Sequence, residues 1–362
     1  MESRIDPAQY SLYETGPATR DGVPGAPLAL AGGFSVDRLE HQTADLPAGR
    51  GSGWRGLDRL DVRFQPGELT VVAGRIGHGK TAVLTSLLLN WLRQEPQPED
   101  DLLLFYSFEE PEVRVYHRLL AAVTAGYNLG WTTAEIRDWF RDPGSRGASY
   151  IWPDAQALSA AREWARRWEE RLALVYQPNW TVAEIESHAR SIGARRRIGA
   201  VMVDYLQKVP SGHGTERPHL AHLEVSHRLK ALATALACPL VVGAQLRRAS
   251  AADGARIPET MTYDHDQVQR TIRQRRPRLQ HLAETGCDEE ADVALGLLNY
   301  RAEFEAEVSE ERRQAARVGN VTRLDIGVLK SRYGTAGRWA GLAFEGRYGL
   351  VRDPKSDSEL GN

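Results

Sequence analysis

The sequence predicts an α/β fold: a mainly parallel sheet with helices on both faces, finished at its C-terminal edge by antiparallel strands. Three observations carry this. Short apolar, β-branched runs recur at residues 69–73, 102–107, 200–203, 240–244 and 293–298. Longer helical stretches separate them, and strands that alternate with helices build parallel sheets buried on both sides. The last part changes character, because 323–329, 339–344 and 349–352 are strand-like runs joined by glycine turns, the antiparallel pattern.

At 362 residues the chain can form one large α/β domain or two small ones. Its 42% apolar and 26% charged residues suit a soluble globular protein. A net charge of −2 gives no global pull toward nucleic acid, so any such binding rests on local basic patches. The two cysteines, Cys238 and Cys287, lack metal-ligand spacing and cannot form a disulfide framework, so a cytoplasmic location is expected. No run reaches membrane-spanning length, and no membrane partner is expected. Residues 1–48, rich in Gly, Pro and Ala, are expected to form a flexible arm with a short helix near 36–42. The compact domain is expected over 49–354 and a disordered tail over 355–362. There is no internal repeat.

The first strand runs into Gly74-Arg75-Ile76-Gly77-His78-Gly79-Lys80-Thr81, the G-x-x-x-x-G-K-[ST] pattern of a phosphate-binding P-loop. An apolar helical stretch over 82–91 follows, so the motif has the strand–helix context it requires. Gly74, Gly77 and Gly79 let backbone N–H groups curl round a phosphate, and the helix N-terminus adds partial positive charge. Lys80 is expected at the β- and γ-phosphates of ATP, and the Thr81 hydroxyl on Mg²⁺. The chain's lysines are Lys80, Lys208, Lys230, Lys330 and Lys355; all other basic residues are arginine. Lysine is kept in the loop because a compact ammonium fits where a planar guanidinium does not. The loop offers backbone to phosphate, so His78 is expected to face solvent or an adjacent subunit, without a catalytic task.

Further helices are expected at 112–124, 155–170, 182–192 and 220–237. Strand 102–107 leads to Glu109 and Glu110, with Pro111 opening the next helix. A carboxylate there either polarises an attacking water or complements a helix dipole, and the residues alone leave both open. Strand 200–203 ends in Asp204, an acid at the carboxyl edge of the sheet beside the P-loop, suited to holding Mg²⁺. Strand 240–244 ends in Gln245, a neutral amide that either senses a γ-phosphate or is an ordinary polar strand end. Lys330 and Arg332 alternate along a strand and project to one face; by themselves they read as a solvated basic edge. The run from Arg270 to Arg278 is densely basic, which suits either a solvated loop or contact with nucleic acid.

Taken in order, these segments resemble the RecA-like ATPase domain of DnaB-type replicative helicases, in the superfamily 4 hexameric helicases, over residues 50 to about 352. Ser107-Phe108-Glu109-Glu110 resembles the family's SLEM segment, which nominates Glu109 as catalytic base. Arg118 falls where the family has a phosphate-contacting arginine. Val203-Asp204-Tyr205-Leu206-Gln207 matches the family's Walker B motif almost letter for letter, and Gln245 matches its sensor glutamine. Residues 282–293 resemble LRESGSIEQDADV, which puts Glu284, Thr285 and Gly286 in the loop that grips the DNA backbone. Lys330-Ser331-Arg332-Tyr333-Gly334 resembles KxRNG, whose Lys and Arg reach the γ-phosphate of a neighbouring subunit.

The resemblance implies a RecA-like P-loop NTPase fold and an ATP- and Mg²⁺-dependent DNA helicase. It would work as a homo-oligomeric ring, a hexamer, moving 5′→3′ on single-stranded DNA. A loader or a replication or defence protein is implied as a further partner. The alternative, from another class, is an oligomeric ATP-dependent scaffold or switch, similar to KaiC or RadA, without unwinding. The chain departs from the family pattern in three places. Residues 1–48 show no counterpart of the family's amino-terminal helical domain, so primase coupling by the usual route is not expected. Ala283 stands where the family has a phosphate-gripping arginine. Residues 249–278 are extra and bring the basic run beside the expected DNA loop, where Arg276 and Arg278 would restore phosphate contacts.

Overall fold

Strand β1 (Leu69–Gly74) is buried at every position, as a central parallel strand covered on both faces must be. Its side chains alternate, with Leu69, Val71 and Ala73 entering one hydrophobic core and Val72 the other. In this computed structural model the described residues are 49–94, 101–127, 130–147, 149–212, 218–247, 273–283, 285–304 and 321–356, with Val36 and Glu40. Contacts divide the chain into Met1–Leu46 and Pro47–Asn362. Of the expected arm only Val36 and Glu40 are described, both helical. The rest of the arm, most of the extra segment and the last residues of the tail lie outside the described residues.

Strand β1 is joined by β2 (Leu102–Ser107), β3 (Leu172–Tyr176), β4 (Ile198–Asp204), β5 (Leu240–Gln245) and β6 (Val293–Asn299), all parallel. Antiparallel β7 (Val321–Ser331), β8 (Trp339–Glu345) and β9 (Leu350–Arg352) complete the order β3-β2-β4-β5-β1-β6-β7-β8-β9. The α/β fold with a mainly parallel sheet is as the sequence predicts.

One face is covered by α1 (Lys80–Arg93), α2 (Glu112–Thr124), α3 (Thr133–Arg141) and α4 (Ala155–Arg166), packing Leu84, Leu88, Trp91, Leu119 and Trp131 against Phe105 and Met202. The other face carries α5 (Val182–Gly193) and α6 (Pro218–Leu236), which pack Ile185, Val225 and Leu229 against Leu104, Val203 and Val242. Short helices α7 (Leu279–Ala283) and α8 (Tyr300–Phe304) flank β6. Among the described residues no helix is long and apolar enough to cross a membrane.

Strand β3 and helices α3, α7 and α8 are among the elements that go beyond the expected set. Strand β3 is a half-buried edge strand of five residues, and α3 starts at a capping box in which Thr132 and Glu135 satisfy each other's backbone N–H groups. Helix α4 stops at Arg166 rather than 170, because the chain turns through 167–171 and enters β3.

Strand register decides which residues share an edge. Gly74 pairs with Gln245 and Ser107 with Asp204, so the carboxyl ends of β1, β2, β4 and β5 open on one edge of the sheet. Thr70 pairs with Val293 and Val293 with Ser331, so β7 delivers its last residues to the opposite edge.

Candidate active site

Between β1 and α1 the chain turns through Gly77 and Gly79, whose φ angles of +80° and +83° are reached without strain only by glycine. Lys80 is buried, and its Nζ donates to the carbonyls of Gly74 at 3.1 Å and Arg75 at 3.3 Å. Burial lowers the ammonium's pKa, against the pull of Asp204 and Glu109. From the end of β4, Asp204 Oδ2 accepts a hydrogen bond from Thr81 Oγ1 at 2.8 Å. Burial pushes the Asp204 carboxyl up to about 6, opposed by that bond and reinforced by Glu109. Asp204 Oδ1 is buried and has no hydrogen-bond partner among the described residues. A hydroxyl and a carboxylate side by side, with one carboxylate oxygen to spare, form a donor set that fits Mg²⁺.

The geometry separates the two acids after β2. Glu110 forms a two-point bond with Arg118, both contacts at 2.6 Å, which holds its carboxyl below the usual range. Glu109 is exposed and close enough to Asp204 and Lys80 to act on both electrostatically. Arg118 also feels Asp204 and Glu109, so it sits beside the same cluster. Gln245, half-buried at the tip of β5, is held by Gln207, which donates Nε2 to its carbonyl at 3.1 Å and accepts its N–H at 2.9 Å. Gln207 is visible in the sequence only as one letter of a motif; its task as a clamp depends on β4 and β5 lying side by side.

His78 corrects the expectation of a solvent-facing side chain. It is buried, with Nε2 3.3 Å from Glu303 Oε2 and Nδ1 3.3 Å from both the Leu297 carbonyl and the Asn299 N–H. Arg75 and Arg275 each place Nη1 3.1 Å from the same carboxylate. Burial alone would raise Glu303; His78, Arg75 and Arg275 more than offset it and bring its pKa to about 2. Two side chains of the P-loop, Arg75 and His78, are thus anchored on α8, an element the sequence did not single out.

The remaining expected residues lie apart from this cluster. Lys330, at the opposite edge, donates Nζ to the carbonyls of Asp288 at 2.5 Å and Glu289 at 3.2 Å. Arg332, half exposed, has Nη1 3.0 Å from Asp292 Oδ1. Thr285 and Gly286 are buried, and a Cβ on Gly286 would stand 2.9 Å from the His219 carbonyl of α6, so this part of the expected DNA loop is packed down. Glu284 lies outside the described residues. Arg276, expected on DNA, gives both Nε and Nη2 to the fully buried Asp325 and lies 4.7 Å over the Trp339 ring. Arg278 is exposed.

The description of the DnaB-like helicase C terminal domain matches residues 49–262, more than half of the chain. The chain belongs to that family. As a member of the DnaB-like helicase C-terminal domain family it is 26% identical over 355 residues to the replicative DNA helicase DnaB of Leifsonia xyli subsp. xyli, covering 96% of this chain and 66% of that protein. It is 25% identical over 323 residues to the replicative DNA helicase DnaB of Mycoplasma genitalium, covering 84% of this chain and 58% of that protein. The chain thus spans less than two thirds of the length of these curated relatives. Among solved structures it resembles a DnaB-like replicative helicase described with its interactions with primase, with a TM-score of 0.64 and 21% identity over 89% of this chain and 68% of that one. That likeness concerns the fold.

Proposed function

We propose that this chain is the ATPase motor of a ring-forming DNA helicase. It assembles with copies of itself into a hexamer, hydrolyses Mg²⁺-ATP between subunits and moves 5′→3′ along single-stranded DNA. One observation carries the proposal. The P-loop, Asp204 and Glu109 stand at one end of β1, and Lys330 and Arg332 stand at the other. By register Arg332 is level with Leu69, five residue steps or roughly 16 Å along the strand from Gly74, and Lys330 with Val71, three steps or roughly 10 Å. The two cations are therefore remote from their own chain's phosphate site and available to a neighbour's.

In this reading the P-loop amides and Lys80 hold the phosphates. Thr81 and Asp204 hold Mg²⁺, whose charge offsets that of the phosphates. Glu109, unlike Glu110, is not tied up by Arg118 and takes the proton of the attacking water. Gln245, fixed by Gln207, reports on the γ-phosphate. Lys330 and Arg332 of the adjacent subunit stabilise charge in the transition state, a contribution worth about 10³–10⁵ in rate for comparable fingers. DNA contact is assigned to the exposed Arg278 and to Glu284, and not to Arg275 or Arg276, which are held by Glu303 and Asp325. The scaffold reading is less well supported, since the curated relatives named above are helicases.

The test is steady-state ATPase of the purified oligomer with and without single-stranded DNA, with Glu109→Gln as control, followed by displacement of a strand from a forked duplex. Stimulation by DNA that the variant abolishes supports the motor. ATPase indifferent to DNA, with no displacement, overturns it in favour of the scaffold.

A further inference from the structure

Asp292 is a buried carboxylate in the turn before β6, and its polar atoms join two distant parts of the chain. Its N–H donates to the Leu69 carbonyl at 2.9 Å, and its Oδ2 accepts the Leu69 N–H at 2.8 Å, so both main-chain groups of the first residue of β1 are taken. Its own carbonyl accepts the Arg332 N–H at 2.9 Å, and Oδ1 lies 3.0 Å from Arg332 Nη1. Lys230, from α6, adds Nζ to Oδ2 at 2.6 Å. The side chain of Arg332 is nevertheless 47% exposed. Its charge is thus paired with Asp292 while nearly half of the side chain remains open to solvent.

We infer that Asp292 is the positioning residue of the trans-acting cation pair: it aims Arg332 out of the far edge of the sheet and pins it to the strand that carries the same chain's P-loop. The inference rests on the proposed role of Lys330 and Arg332 at a neighbour's ATP site. Its physical basis is that an arginine side chain carries about 2 kcal/mol of rotamer entropy, which a finger must lose before it can act. The backbone bond fixes where the side chain starts, and the ion pair with Asp292 Oδ1 removes part of its freedom in advance. Lysine at Arg332 would lack the fork that allows one side of the group to bind Asp292 while the other faces a phosphate. Asp292 itself touches no phosphate, since it lies at the end of β1 away from the P-loop.

The experiment is complementation by subunit mixing in the full chain. An Asp292→Asn subunit keeps its own P-loop but offers a poorly held finger. A Lys80→Ala subunit has a dead site but an intact finger. Asp292→Asn alone is expected to lose at least tenfold in kcat, within the ~10³–10⁵ that a finger can contribute, and Lys80→Ala alone to lose activity through its own phosphate site. Mixed and reassembled, they should recover ATPase above either parent, as should Arg332→Ala mixed with Lys80→Ala. Asp292→Asn mixed with Arg332→Ala should not recover, because both lack a working finger.

Recovery in the Arg332→Ala mixture but not in the Asp292→Asn mixture overturns the inference and leaves the finger standing. No recovery in either overturns the finger reading as well. Lys230→Met is a second probe, needed if Asp292→Asn does not assemble. It removes the other cation on Asp292 and leaves Arg332 held, so it should still donate a finger to Lys80-intact, Arg332→Ala neighbours. Loss of donation there, in assembled oligomers, would also sink the inference.

Discussion

Gln207 holds the main chain of Gln245 from both sides, through its amide nitrogen at 3.1 Å and its amide oxygen at 2.9 Å. Both partners of the contact stand at strand ends of the P-loop edge, so the clamp fixes where the Gln245 side chain starts. Gln207→Ala is expected to lower kcat for ATP hydrolysis roughly tenfold while KM changes little, because positioning is lost and phosphate binding is not. Steady-state ATPase reads both constants; a KM effect without a kcat effect would contradict the clamp.

The anchor on Glu303 predicts a pH signature. Its carboxyl is depressed to about 2, so it is charged throughout the ordinary range and its pairing stabilises the fold above the usual carboxylate pKa. That contribution fades as pH falls toward 2. Glu303→Gln leaves the Arg75 and Arg275 cations without their anion and is expected to cost about 3 kcal/mol near neutral pH. Urea unfolding across pH should show the gap between wild type and variant full above pH ~5 and shrinking below it. A gap that widens on acidification would be inconsistent with the anchor.

Two neighbouring arginines are expected to behave differently. Arg276 is neutralised by Asp325 and lies over Trp339, so Arg276→Ala should lower stability by about 3 kcal/mol and leave the salt dependence of DNA binding alone. Arg278 is exposed, so Arg278→Ala should keep stability and reduce the slope of log K against log salt by about 0.7 on single strands. Salt titrations of both variants decide the matter, and an equal loss of slope in the two would overturn the division.

Trp131 is fully buried, stacks on Trp152 with centroids 5.6 Å apart, meets Trp139 edge-on at 5.4 Å and donates Nε1 to the Asp154 carbonyl. Trp131→Ala is expected to cost about 3–5 kcal/mol. Calorimetry or urea unfolding measures it, and a cost below ~1 kcal/mol would show that this aromatic group is not part of the cooperative core.

Local chemistry was legible in the sequence, and pairing across the chain was not. The P-loop announces itself because strand, glycines, Lys80 and helix are contiguous, and Asp204 and Gln245 are visible as polar ends of apolar runs. Strand β3 is five residues at a sheet edge, and its apolar run 172–175 has no period that separates strand from helix. The Thr132-to-Glu135 spacing of α3 was there to be seen, since a capping box needs only four residues. His78 could not be placed, because the carboxylate that buries it also binds Arg75 from 228 positions away. Arg276 was visible as charge, but whether a charge meets solvent or a buried Asp325 is decided by the sheet register.

The length of β1 has a consequence for how activity would grow with assembly. On the proposed reading, a lone chain has a lock at one end and a key at the other and cannot turn its own lock. Every junction in a head-to-tail stack completes one site, while the two end subunits always leave a lock and a key idle. Only closure on itself uses them all. Turnover per subunit would then fall on dilution well before any chain unfolds, and a poisoned subunit would silence the site on one side of it and leave the other side working.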